Sequence, residues 1–140
     1  MKKLIPIIPI VALISVIGIS IFLFTNNNYA KVIKNQWGIN LTKEDRIVYS
    51  VSKNKNTYQI LKYNSDKKIE KLNELDWIHE DNEEIENGAQ EILNTLEYKE
   101  EYTLYFNKDY SYIYKEKNNK AIYLFYIKAE KQIYVIEKQK

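Results

Sequence analysis

The sequence predicts an α+β domain behind an N-terminal membrane anchor, on three observations. Met1-Lys2-Lys3 is followed by 21 residues without a charge, Leu4 to Phe24. One interior segment, "DNEEIENGAQEILNTL", carries apolar residues at helical spacing. The stretch from Tyr102 onward breaks into short β-type runs joined by brief polar connections. The expected picture is a transmembrane helix, then one helix packed on a curved antiparallel sheet. An N-terminal hairpin and a C-terminal four-strand meander would supply the strands. Residues 1–27 would be the anchor with a short cytoplasmic N-terminus, and residues 28–140 an extracytoplasmic domain.

At about 1.5 Å rise per residue, the apolar run reaches about 30 Å, one hydrocarbon core. A signal-peptide core is usually about 7–15 residues and ends at a small-x-small site. Here only Ala30 is available, with Asn28 in the companion position, so a retained anchor is expected over a cleaved signal. Pro6 and Pro9 are compatible with a first helical turn. Lys2, Lys3 and the free amine favour a cytoplasmic N-terminus, while Lys31 and Lys34 oppose it. A long following domain crosses largely regardless of such charges. The expected location is the cell membrane, spanned once through residues 4–24, with the C-terminal domain outside.

Taken in order, "NNYAKVIKNQWG" predicts a short amphipathic helix with Tyr29, Val32, Ile33 and Trp37 on one side, stopped by Gly38. Trp37 is expected to tie this helix to the sheet; the alternative is an interfacial anchor. "RIVYSVSK" and "TYQILKYN" predict a hairpin around "NKN". "KKIEKLNELDWI" is ambiguous; one reading is a third short strand at Lys68–Leu72, with a loop carrying Trp77. In the main helix, Ile85, Ala89, Ile92, Leu93 and Leu96 form one stripe, with Asp81 and Glu84 at capping-box spacing. Gly88 in its middle costs about 1 kcal/mol against Ala and suits close packing on the sheet. Four strands follow, at Tyr102–Phe106, Tyr110–Lys115, Ala121–Ala129 and Gln132–Glu137. "AIYLFYIKA" is apolar on both faces and predicts an interior strand covered on both sides.

Composition narrows function. The chain has 21 Lys/Arg, 19 Asp/Glu and no Cys. Beyond the two leading lysines the charge is balanced, which argues against nucleic acid as a partner. The charge is nevertheless segregated, with the acidic excess in residues 70–102. No Cys means no disulfide and no thiolate chemistry. No phosphate loop, G-x-S-x-G or H-E-x-x-H motif is present. His79, the single histidine, sits beside Glu80 and Asp81, which is not a metal-ligand spacing. The expectation is a non-enzymatic protein without a cofactor.

Two candidate binding surfaces remain. Tyr110, Tyr112 and Tyr114 share one face of their strand and would form an aromatic strip if that face were open. Glu83, Glu84, Glu86 and Glu91 lie on the outer face of the acidic helix and would suit a basic partner. Thirteen tyrosines are a weaker signal than they look, because Lys, Asn, Ile and Tyr share AT-rich codons, and tyrosine also favours half-buried sheet surfaces.

Trp37-Gly38-Ile39 after the anchor and the closing Tyr134-Val135-Ile136-Glu137 resemble small uncharacterised single-pass proteins of low-GC Gram-positive bacteria. Many of those have Leu-Pro after the Trp-Gly-Ile segment; here Leu41 is followed by Thr42. The resemblance implies an envelope location and no particular activity. The expected function is a membrane-anchored protein-interaction module whose partner is an envelope protein or a secreted peptide or protein. Its rivals are an immunity-type protein against a secreted toxin, a glycan- or wall-binding domain using the tyrosine strip, and a subunit pairing with another chain through Ala121–Ala129.

Overall fold

The computed structural model describes residues 29–139. The anchor expected at residues 4–24 lies outside the described residues, among which no helix is long and apolar enough to cross a membrane. The elements are α1 (Tyr29–Trp37), β1 (Arg46–Lys53), β2 (Asn56–Lys62), α2 (Asp66–Asn73), α3 (Glu83–Leu93), β3 (Ser111–Lys117), β4 (Lys120–Ile127) and β5 (Gln132–Lys138). The five strands form one antiparallel sheet in the order β1-β2-β5-β4-β3. The last strand thus zips the N-terminal hairpin to the C-terminal meander.

Turn chemistry sets two of the three hairpins. Asn54-Lys55 and Asn118-Asn119 all have positive φ, between 50° and 69°. Two consecutive left-handed residues make the type I′ turn, whose twist matches that of paired strands. Asn tolerates that region better than most residues, which is why Asn opens both turns. The second turn fixes the register Lys117↔Lys120, Tyr114↔Tyr123 and Tyr112↔Phe125.

Strand alternation divides the core in two. One face carries Leu61, Ile113, Ile122, Leu124, Tyr126, Ile133 and Val135 under α1, α2 and Trp77. The other carries Tyr58, Ile60, Tyr123, Phe125, Ile127, Tyr134 and Ile136 under α3 and the segment after it. The sheet is therefore covered by helix on both sides, where the sequence reading has one helix layer.

The amphipathic helix α1 ends as expected at Gly38, which has φ +70° and donates its N–H to Lys34 O at 2.9 Å. Trp37 is buried, its indole N–H 3.4 Å from the Glu137 carboxylate. That carboxylate, itself 4% exposed, also accepts from the Tyr29 hydroxyl and the Gln139 amide. One buried acid on β5 thereby holds both ends of α1. Lys115 Nζ reaches Trp37 O at 3.1 Å, placing a cation at the helix's negative end.

Three expectations change. Lys68–Leu72 is helical, as part of α2. Ile69 packs against the core and Leu72 is fully buried in it. Two apolar residues three apart fit a short helical face, and so few positions do not distinguish the two periods. Tyr102–Phe106 is no strand: it begins in the 3-10 turn Glu100–Tyr102 and continues as loop. Its alternating side chains plug the core edge instead. Tyr102 stacks on Tyr49 at 4.2 Å, Leu104 is buried, and Phe106 meets Phe125 edge-on at 5.1 Å. The C-terminal meander therefore has three strands. Finally, the cap of α3 is Asn82, whose side chain accepts from the Ile85 N–H at 3.2 Å. Asp81 stands one residue too early for that bond. Asn82→Ala should cost about 1 kcal/mol in urea unfolding, with Asp81→Ala close to neutral.

β4 is interior and apolar on both faces, as expected. Both its edges are occupied, by β3 and β5, so it offers no edge to another chain.

Asp45 links the hairpin to α2. Its carboxylate accepts from Lys68 Nζ at 2.7 Å and from the Asn64 and Ser65 N–H groups. The lysine hydrogen bond, then the two backbone ones, lower its pKa from 3.8 to about 2. A depressed carboxylate pKa contributes stability that is present above pH 3.8 and lost as pH falls toward 2. Asp45→Asn should flatten the dependence of melting temperature on pH in that window and leave the pH 5–7 region parallel to wild type.

Candidate binding cleft

The acidic helix and the outer hairpin meet in a trough. α3 starts at the Asn82 cap, and Glu83, Glu84 and Glu86 occupy its first turn, where carboxylates complement the positive helix end. Ala89, Ile92 and Leu93 point into the core, which leaves Glu83, Glu84, Asn87 and Glu91 outward. Gly88 lets the helix approach: a Cβ there would stand 2.4 Å from the Tyr123 hydroxyl.

Beside this contact lie two clefts, of about 500 Å³ and about 440 Å³, which share Gly88, Glu91, Tyr114 and Tyr123. The first extends to Glu83 and Glu84, the second to Glu116, Lys120 and Lys138. Its aromatic wall is the cross-strand pair Tyr114–Tyr123, with rings 4.8 Å apart. The Tyr114 hydroxyl donates to Glu116 at 2.6 Å. That bond, then burial, raises the Tyr114 pKa; burial raises that of Tyr123. Both stay neutral donors beside the carboxylates.

The predicted candidates separate here. Glu83, Glu84, Glu91 and Tyr114 line the trough. Tyr110 and Tyr112 do not: they are 4% and 5% exposed, closed over by the start of α3. The Tyr110 hydroxyl donates to Glu86 at 2.7 Å, and the Asn82 amide donates to the Tyr112 hydroxyl at 3.2 Å. Burial and the Glu86 bond raise the Tyr110 pKa to about 12. The three tyrosines therefore form no open strip. Two of them are staples between sheet and helix, and Glu86 is spent on holding one of them.

Sequence reasoning missed Tyr123 and Glu116. The signal was the Asn118-Asn119 turn, which puts Tyr123 opposite Tyr114 once the loop is cut to two residues. It also missed that Ser111 Oγ lies 2.7 Å from His79 Nδ1. Among the described residues no group of three His, Cys, Asp or Glu side chains could hold a metal.

β3 is an edge strand. Near its start Tyr112 exchanges two hydrogen bonds of 2.9 Å with Ile78 on the outer side. By the antiparallel alternation, Tyr114 and Glu116 turn their N–H and C=O groups the same way. No described residue lies in register with them there. An unpaired backbone row thus borders a trough with four carboxylates, two lysines and two phenols. Comparison with protein-family models, curated proteins and solved structures finds no match.

Proposed function

We propose that this chain is a membrane-anchored, non-enzymatic interaction module whose acidic trough takes a basic, extended segment of an envelope or secreted protein. One observation carries the reading: a free strand edge at Tyr114–Glu116 beside Glu83, Glu84, Glu91 and Glu116. Main-chain pairing to an edge supplies sequence-tolerant affinity, and the bordering side chains supply selectivity. Lys or Arg side chains on the α3 side of the added strand would reach the carboxylates, their stems lying along Tyr114, and the alternate side chains would turn to the opposite face of the sheet. Such contacts favour fast, salt-sensitive association.

The test uses the full-length chain in mild detergent and a fluorescein-labelled peptide, (Lys-Ile)4. The reading expects binding that weakens with added salt, about tenfold loss in the Glu83→Gln/Glu84→Gln/Glu91→Gln variant, and no binding of (Glu-Ile)4. Equal binding of both peptides, or an unaffected triple variant, would contradict it. Placement outside the membrane is tested by a Cys added after Lys140 and an impermeant maleimide. Labelling of intact cells supports it, and labelling only after lysis refutes it.

A further inference from the structure

At the opposite end of β3, independent of the trough, lies a cleft of about 470 Å³, within the size range of small-molecule sites. Trp77 and Tyr126, with rings 5.2 Å apart, form its inner wall. His79 and Ser111, bonded to each other, line one side. Asp109 and Lys128 line it too, and both are exposed. Three ion pairs occur among the described residues, and neither Asp109 nor Lys128 takes part in one. They carry opposite charges on one cleft and do not pair with each other. The Tyr126 hydroxyl is also without a partner among the described residues, on a side chain only 3% exposed.

We infer that this cleft binds a free α-amino acid. The ligand's ammonium lies against Asp109, its carboxylate against Lys128, and its side chain against the Trp77–Tyr126 wall. A ligand of one sign would meet one of the two residues unfavourably. A purely apolar ligand would leave both charges without a role. A zwitterion engages each charge with its complement and keeps the site neutral overall.

The indole N–H signals of the full-length chain give the readout, because Trp77 and Trp37 are the only tryptophans. Trp77 belongs to the cleft; Trp37 is bonded to Glu137 under α1 and serves as an internal control. L-Phenylalanine is the probe. The inference expects a saturable shift of the Trp77 signal with Trp37 unmoved. Asp109→Asn and Lys128→Gln, both at exposed positions, should each weaken it about tenfold, close to 1.4 kcal/mol, at unchanged melting temperature. N-acetyl-phenylalanine amide, which has neither charge, should leave Trp77 unmoved. No saturable shift with L-phenylalanine, an equal shift with the blocked compound, or full binding by both variants would overturn the inference.

Discussion

Ile92→Asp is expected to leave the domain without a cooperative thermal transition. Ile92 is 6% exposed and packs in the core that α3 closes over the sheet. A carboxylate there loses most of its water and replaces the apolar contact that Ile92 makes within this cluster. An uncompensated buried charge costs several kcal/mol, against a total stability of about 5–15 kcal/mol for a domain of this size. The position next to it gives the contrast. Glu91 is exposed on the trough side, so Glu91→Gln should melt within a few degrees of wild type. Circular dichroism on heating separates the two. A cooperative transition retained at the wild-type temperature in Ile92→Asp would refute the packing of α3.

Phe125→Ala should cost about 3–5 kcal/mol in denaturant unfolding. Phe125 is fully buried at the middle of β4, and three rings meet it. Phe106 and Tyr110 meet it edge-on at 5.1 and 5.5 Å, and Tyr123 lies parallel at 6.4 Å. Tyr112 is its cross-strand partner. Truncation removes the ring that fixes both the loop after α3 and the tyrosines under its start. The neighbours are held by their own bonds, Tyr110 to Glu86 and Tyr112 to Asn82, so the cavity collapses poorly. Phe125→Leu keeps most of the volume and should cost about 1.5 kcal/mol or less. Equal losses in the two variants would contradict this reading, because retained volume would then count for nothing and the ring contacts for everything.

These two residues also show where the sequence was readable. The Ile85–Leu96 stripe and the two-faced apolar strand are long periodic signals, and both elements formed where their patterns put them. α1 with its Gly38 stop was equally legible, because helix period and stop signal agree. Short segments were not. Ile69 and Leu72 alone do not distinguish a helical face from a strand. Tyr102, Leu104 and Phe106 alternate like a strand, yet they fill a gap beside rings supplied from far along the chain. The trough followed the same rule. Glu83, Glu84 and Glu91 could be placed outward from helical period alone. The fate of the three tyrosines depended on which face α3 covers, a tertiary fact that strand alternation does not contain. The burial of Glu137 was hidden as well, since its partners Tyr29 and Trp37 lie about a hundred residues earlier.

The most direct test of the central claim is to map where a basic strand docks. Backbone amide shifts of the full-length chain are followed as (Lys-Ile)4 is added. The account predicts that the perturbed amides concentrate at Tyr114–Glu116 and along Glu83–Glu91, with protection of the Tyr114 and Glu116 N–H groups from exchange. Perturbation centred on β1, the other sheet edge, or spread evenly over the acidic surface without new amide protection, would contradict it.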